Sequence, residues 1–245
     1  MFLLSTISVQ GQVLRFGPKV GLQATRTIFD ETASKERYSS FPSLAFHAGA
    51  MVNIKASELF SLQTELLYHQ TRKHIENKAA GDWQKETYEY LSLPLLLRFS
   101  YPWKHNELYV NAGPSVSYWL AGKGKVFHSE VFEFELDILE YEMAFDGNED
   151  TYRYIIEEPN RLQLGLDIGA GAILPLGPNY LMVDLRYTFG HTNMAKGAEN
   201  YLPLSFYEED LRHTQQVLSL SVAYLINFDF YTMRTKGKSS GRKTE

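Results

Sequence analysis

Residues 43–54 read SLAFHAGAMVNI, and their two-residue alternation constrains the chain more than any other feature. Leu44, Phe46, Ala48, Ala50, Val52 and Ile54 share one parity, while His47, Gly49, Met51 and Asn53 share the other. Successive side chains of a strand point to opposite faces, so this segment has one apolar and one mixed face. The pattern recurs and predicts strands at 13–29, 43–54, 60–70, 88–101, 108–121, 162–174, 180–189 and 216–230. Each apolar face is long enough for the roughly 9–11 tilted residues that cross a bilayer. The connections alternate strictly between short (55–59, 102–107, 175–179) and long (30–42, 71–87, 122–161, 190–214). That layout is expected of an all-β, eight-stranded antiparallel transmembrane β-barrel with short periplasmic turns and long extracellular loops. A soluble sandwich has no reason to obey it.

No apolar run reaches the roughly 18 residues of a membrane helix, but strands that meet lipid at every second residue escape that test. Aromatic residues make up 14% of the chain and gather near predicted strand ends. Phe60, Tyr101, Trp103, Tyr180, Phe228 and Phe230 fall at the short-turn rim. Phe29, Phe41, Tyr68, Tyr90, Tyr118 and Phe189 fall at the other, as two interfacial girdles would. Pro18, Pro94 and Pro114 lie inside predicted strands, where each removes a ladder donor, and are expected to mark bulges or shifted strand ends.

Residues 1–11, MFLLSTISVQG, look like the rear of a secretory signal, with a native apolar strand as the alternative. Residues 12–230 then form the barrel, and 231–245 a basic, flexible periplasmic tail. A net charge of −5 gives no sign of nucleic-acid binding. The absence of cysteine excludes disulfides and thiolate metal sites.

Eight strands enclose a space that side chains can fill, so no open pore is expected. The inward parity collects Lys19, Glu65, Arg98, Asp167, Asp184 and Arg186, with His47, Gln63 and Asn111. Both signs are present, and buried charges must be paired, so a structural ion-paired plug is expected, with a proton or ion path as the alternative. Gly165, Gly169 and Gly171 share that face, and their spacing is not that of a phosphate-binding loop. They are expected to make room for bulky neighbours such as Trp119, or to allow curvature.

Chemistry is sparsely marked. His191, Ser205, Asp210 and His213 in the last long connection contain the ingredients of a nucleophile, base and orienter, without diagnostic spacing. The seven histidines show no metal-binding spacing. No catalytic, cofactor or metal site and no small-molecule substrate is therefore expected. The acidic connection 122–161 carries Phe132, Phe134, Leu136, Ile138 and Tyr141 among carboxylates, which suggests a hairpin presenting an amphipathic edge to a partner. A plain solvated loop is the alternative.

The segments FGPKVGL, LQTELLYHQ, YEYLSLPLLLRFSY and NAGPSVSYWLAG, in this order, resemble PorT-family outer-membrane β-barrels. The similarity spans residues 13–230 and includes a G-x-K-x-G first strand (Gly17, Lys19, Gly21), an E-L-x-Y third strand (Glu65 to Tyr68) and a Y-L-x-L-P-L-L fourth strand (Tyr90 to Leu96). The resemblance implies an eight-stranded barrel in the outer membrane of a Gram-negative envelope. It also implies an accessory role in type IX protein secretion, with other secretion-system proteins and outer-membrane lipid as partners. It implies no catalytic residues and no cofactor. A barrel enzyme at the extracellular rim and a soluble ligand-binding barrel are the alternative readings.

Overall fold

In a computed structural model, the structure describes residues 13–29, 36, 38–78, 82–127, 138–145, 153–155, 159–190, 192 and 213–229. The strands are β1 (Val13–Phe29), β2 (Tyr38–Ser40), β3 (Ser43–Lys55), β4 (Phe60–Asn77), β5 (Trp83–Trp103), β6 (Asn106–Phe127), β7 (Leu139–Ala144), β8 (Arg153–Ile155), β9 (Leu162–Leu176), β10 (Asn179–Gly190) and β11 (His213–Asp229). Eight of them form a ring in the order β1-β3-β4-β5-β6-β9-β10-β11, every pairing antiparallel, closed by β1 against β11 from Val13↔Asp229 to Phe29↔His213. Closure removes the exposed sheet edges that lipid cannot hydrogen-bond. The three short strands lie outside the ring: β2 pairs β4, β7 pairs β6, and β8 runs parallel to β7.

Alternation places the apolar parity on the outside. On β5 the outward residues Leu91, Leu93, Leu95, Leu97, Phe99 and Tyr101 are all exposed. Their inward neighbours Ser92, Leu96, Arg98 and Ser100 are buried. Equivalent bands run over Phe16, Val20 and Leu22 on β1, Phe60, Leu62 and Leu66 on β4, and Leu218 to Ile226 on β11. The membrane-spanning part of each strand is the length covered by this band: on β5 it runs from 91 to 101, and on β6 from 108 to 120.

The strands begin within a few residues of expectation at the short-turn end and run further at the other. β4 reaches Asn77, β5 starts at Trp83 and β6 ends at Phe127. Segments read as loop, 71–77, 83–87 and 122–127, are therefore strand. There the pattern is inverted: outward positions are Arg72, His74, Lys85, Lys123 and Lys125, while Ile75, Tyr88 and Val126 are buried inside. Above the membrane the outside is water, so the apolar parity belongs indoors.

The prolines do not mark bulges. Pro18 stands opposite Ala50, Pro94 opposite Ser115 and Pro114 opposite Leu166, each without a register shift, while the ladder on each proline's other side skips two residue pairs and then resumes in the same register. The register shift lies instead between Glu89 and Tyr90, which stand opposite Ala121 and Trp119, so that Leu120 is the extra residue. Two girdle assignments are also corrected: Tyr90 is buried in the lumen, and Tyr180 turns inward against the core. Phe60, Tyr101 and Trp103 do face outward at the short-turn rim.

Candidate functional site in the barrel lumen

Four strands converge on one buried ion cluster at mid-barrel. Lys19 on β1 donates to Glu65 Oε1 of β4 at 3.0 Å and to Asp184 Oδ2 of β10 at 2.9 Å. Arg186 on β10 forks onto Glu65 with Nη1–Oε2 2.9 Å and Nη2–Oε1 2.8 Å, and reaches Asp184 Oδ2 at 2.9 Å. Asp167 on β9 lies 3.8 Å from Arg186 and accepts from Ser115 Oγ at 3.2 Å. Tyr109 Oη donates to Asp184 Oδ1 at 2.7 Å, occupying the oxygen that the cations leave. Every charge here is shielded from solvent, and unpaired burial of even one would cost several kcal/mol.

Arg98 joins this set differently from expectation. No carboxylate lies within ion-pair distance of it among the described residues; it donates to Gln63 Oε1 and to Met182 Sδ, and its guanidinium stacks 3.8 Å from the Tyr109 ring centroid. Gln63 in turn donates to Glu65 Oε1, linking Arg98 to the cluster through one amide. The six side chains carry three positive and three negative charges, so this set is neutral as a whole. The glycine face of β9 does make room, for Ser115, Asn111 and Tyr109 of β6 rather than for Trp119 of the same strand. A Cβ on Gly171 would lie 2.4 Å from Tyr109 Oη.

Apolar layers close the lumen on both sides of the cluster. Toward the short turns, Met51, Tyr109, Ile173, Met182, Ala223 and Leu225 pack into one buried group. Beyond it a vestibule of about 800 Å³ opens at the short-turn rim. Arg15 and Lys55 there hold Glu107 at 2.7 and 2.9 Å, and Ser100 Oγ donates to its other oxygen at 2.8 Å. Burial pushes the Glu107 carboxyl up, but the Arg15 charge and these donors outweigh it and hold it at about 2.

On the extracellular side, Tyr88, Tyr90, Trp119, Val126, Tyr141 and Met143 form a second buried group. Lys73 pairs with Glu86 at 3.1 Å inside it, Tyr141 Oη donates to Glu86 at 2.6 Å, and Tyr88 Oη donates as well. Burial would raise the Glu86 carboxyl, yet Lys73 and the two phenols hold it below the ordinary range. Between this lid and the ion cluster lies a cavity of about 70 Å³, lined in part by His47, His69 and Ser117. The Lys73–Glu86 pair lies in segments that the sequence pattern alone marks as loop. The alternation Gln84, Glu86, Tyr88, Tyr90 was the available signal.

The proposed partner-binding residues divide. Phe132, Phe134 and Leu136 lie outside the described residues, and Ile138 is exposed beside β7. Tyr141 is not on that face: it is a buried lid residue, and a Cβ on Gly124 of β6 would lie 2.2 Å from its ring. The outward face of this hairpin is instead charged, with Lys125 paired to Glu140 and Glu142 opposite Lys123. His191, Ser205, Asp210 and Phe230 lie outside the described residues, as do 1–11 and the tail; only the backbone of His213 is placed, at the start of β11.

Residues 10–196 match the family described as outer membrane protein beta-barrel domain. The chain belongs to that family. It is an outer-membrane protein, and its lipid-facing bands cross that bilayer. Among solved structures it is similar to Ail, the attachment invasion locus protein of Yersinia pestis, at 13% identity over 86% of this chain and 98% of that chain, with a TM-score of 0.39. It is similar to OprG from Pseudomonas aeruginosa at 10% identity over 89% and 95%, TM-score 0.48. Neisserial surface protein A gives 11% identity over 87% and 97%, TM-score 0.39. No curated protein matches the sequence.

Proposed function

We propose that this barrel is a PorT-family, non-enzymatic accessory or assembly component of protein secretion, in the type IX manner that its motifs suggest. The observation that carries the proposal is the triple closure of the lumen. An apolar layer, an ion-paired cluster and an aromatic lid follow one another along the axis. A polypeptide has no route through such a barrel, so a role in export is exercised on other proteins at the membrane rather than as the conduit. Two residues of the motifs behind the resemblance, Lys19 and Glu65, meet in the central ion pair. That pairing supports reading those motifs as one structural device shared with PorT-like barrels.

Deletion of the gene tests the proposal. Secreted cargo is expected to accumulate inside the envelope, and complementation by the intact chain is expected to restore export. Normal export from the deletion strain would refute the role. Replacing His191, Asp210 and His213 together is expected to leave export unchanged, whereas a rim enzyme would lose its phenotype.

A further inference from the structure

We propose that the outer wall of β4, β5 and β6, just above the lipid-facing band, is a binding site for the phosphorylated headgroup of an outer-leaflet lipid. A groove of about 530 Å³ lies there on the outside of the barrel. Register builds its cationic wall in two rows. Arg72 stands opposite Thr87, and Thr87 opposite Lys123; one step further out, His74 stands opposite Lys85, and Lys85 opposite Lys125. Three neighbouring strands span about 10 Å, so these five basic residues share a patch the size of one headgroup.

Their partners leave part of that charge available. Lys125 is tied to Glu140, and His74 lies 3.2 Å from Glu76. Arg72, Lys85 and Lys123 have no ion-pair partner among the described residues; Glu142 faces Lys123 across the ladder, and Lys85 rests 4.7 Å over the Trp83 ring. An ammonium or guanidinium beside a phosphate donates to a charged acceptor, where a water-facing cation donates only to neutral water.

Height leaves the first basic row within side-chain reach of the headgroup layer. Thr87 is four residues above Leu91, the last lipid-facing residue of β5, which at the tilt of a membrane barrel is about 10 Å. The headgroup layer occupies roughly 5–8 Å on each side of the hydrocarbon, and long basic side chains bend back toward it. The groove also contains Leu44, which is 68% exposed and continues the apolar band of β3. By continuation of the β3–β4 register Leu44 stands across from Arg72, so an acyl chain against Leu44 and a phosphate against the basic rows fit the groove side by side.

Native mass spectrometry of the full chain in micelles, with diphosphoryl lipid A or its dephosphorylated form added, tests the proposal. The diphosphoryl lipid is expected to give a persistent one-to-one adduct and the dephosphorylated lipid none. Arg72→Ala, Lys85→Ala and Lys123→Ala together are expected to weaken the adduct about a hundredfold, at roughly fivefold per cation. The charge-keeping set Arg72→Lys, Lys85→Arg and Lys123→Arg is expected to retain it, as is Lys104→Ala at the opposite, short-turn rim. Equal adducts with both lipids would overturn the proposal without any variant. So would an unweakened adduct in a triple-alanine protein that keeps its heat-dependent gel shift.

Discussion

Neutralising Glu65 tests the lumen cluster most sharply. Its carboxylate receives Lys19 at 3.0 and 3.1 Å and both terminal nitrogens of Arg186 at 2.9 and 2.8 Å. Glu65→Gln keeps the shape but leaves two buried cations facing Asp184, with Asp167 still 3.8 Å from Arg186. Breaking a buried pair on one side costs about 3–5 kcal/mol, so Glu65→Gln is expected to destabilise the barrel by about that amount. Adding Lys19→Met removes one stranded cation, and the double variant is expected to recover about 1–3 kcal/mol relative to additivity. The exposed pair Lys125–Glu140, with side chains 53% and 67% accessible, gives the contrast, at about 0.2–1 kcal/mol. Reversible denaturant unfolding in lipid vesicles, followed by tryptophan fluorescence, reads all three; Trp119 is fully buried beside the cluster's lid. A Glu65→Gln cost below about 1 kcal/mol, or no coupling to Lys19, would show that these charges are not held as a dry, interdependent unit.

Depth dependence on the outer face gives a second expectation. Leu97→Arg, at the middle of the β5 band, is expected to cost about 2–4 kcal/mol. Thr87→Arg on the same face above the band is expected to cost under about 0.5 kcal/mol. Equal costs would dissociate the apolar band from the bilayer. Acid sensitivity follows from Glu107, whose carboxyl is held at about 2 against an ordinary 4.5. A lowered folded value contributes stability that is complete above about 4.5 and is lost as pH falls toward 2. Glu107→Gln is therefore expected to flatten the stability profile over that interval, and an unchanged slope would assign the acid limb elsewhere. Finally, the purified barrel in a planar bilayer is expected to show no stepwise conductance, and regular ion-conducting events in the wild type would contradict the closed lumen.

How far the sequence was legible follows from where lipid ends. Between Leu91 and Tyr101 the environment is lipid outside and a narrow polar lumen inside, so parity alone assigns every face. Beyond Leu91 the outside becomes water, and Tyr88 and Tyr90 reverse the apolar parity. Strand-end position alone therefore points Tyr90 to a girdle and the residues ahead of it to a loop. At the opposite rim Tyr180 lies near a strand end but shares the parity of Met182 and Asp184, and parity decides.

Membership of the lumen was legible, but pairing within it was not. Lys19 and Asp184 lie 165 residues apart and meet only because closure of β1 on β11 brings β10 within reach. Nothing local marks Arg98 as the member held by an amide, a thioether and a ring rather than by a carboxylate. Tyr141 shows the same limit from outside the membrane. Its alternation with carboxylates was visible, but which parity faced inward depended on β7 docking against Gly122 and Gly124 of β6.

The chain contains no cysteine, so single cysteines introduced one by one from 86 to 101 can each carry a unique fluorophore. Quenching by brominated acyl chains is the most direct test of a barrel whose odd positions on β5 touch lipid. Strong quenching is expected at 91, 93, 95, 97 and 99, little at 92, 96 and 98, and none on either parity at 86 and 87. Quenching without alternation across 91–99, or equal access of a water-soluble quencher to both parities, would contradict the structure of a membrane-spanning, internally closed barrel.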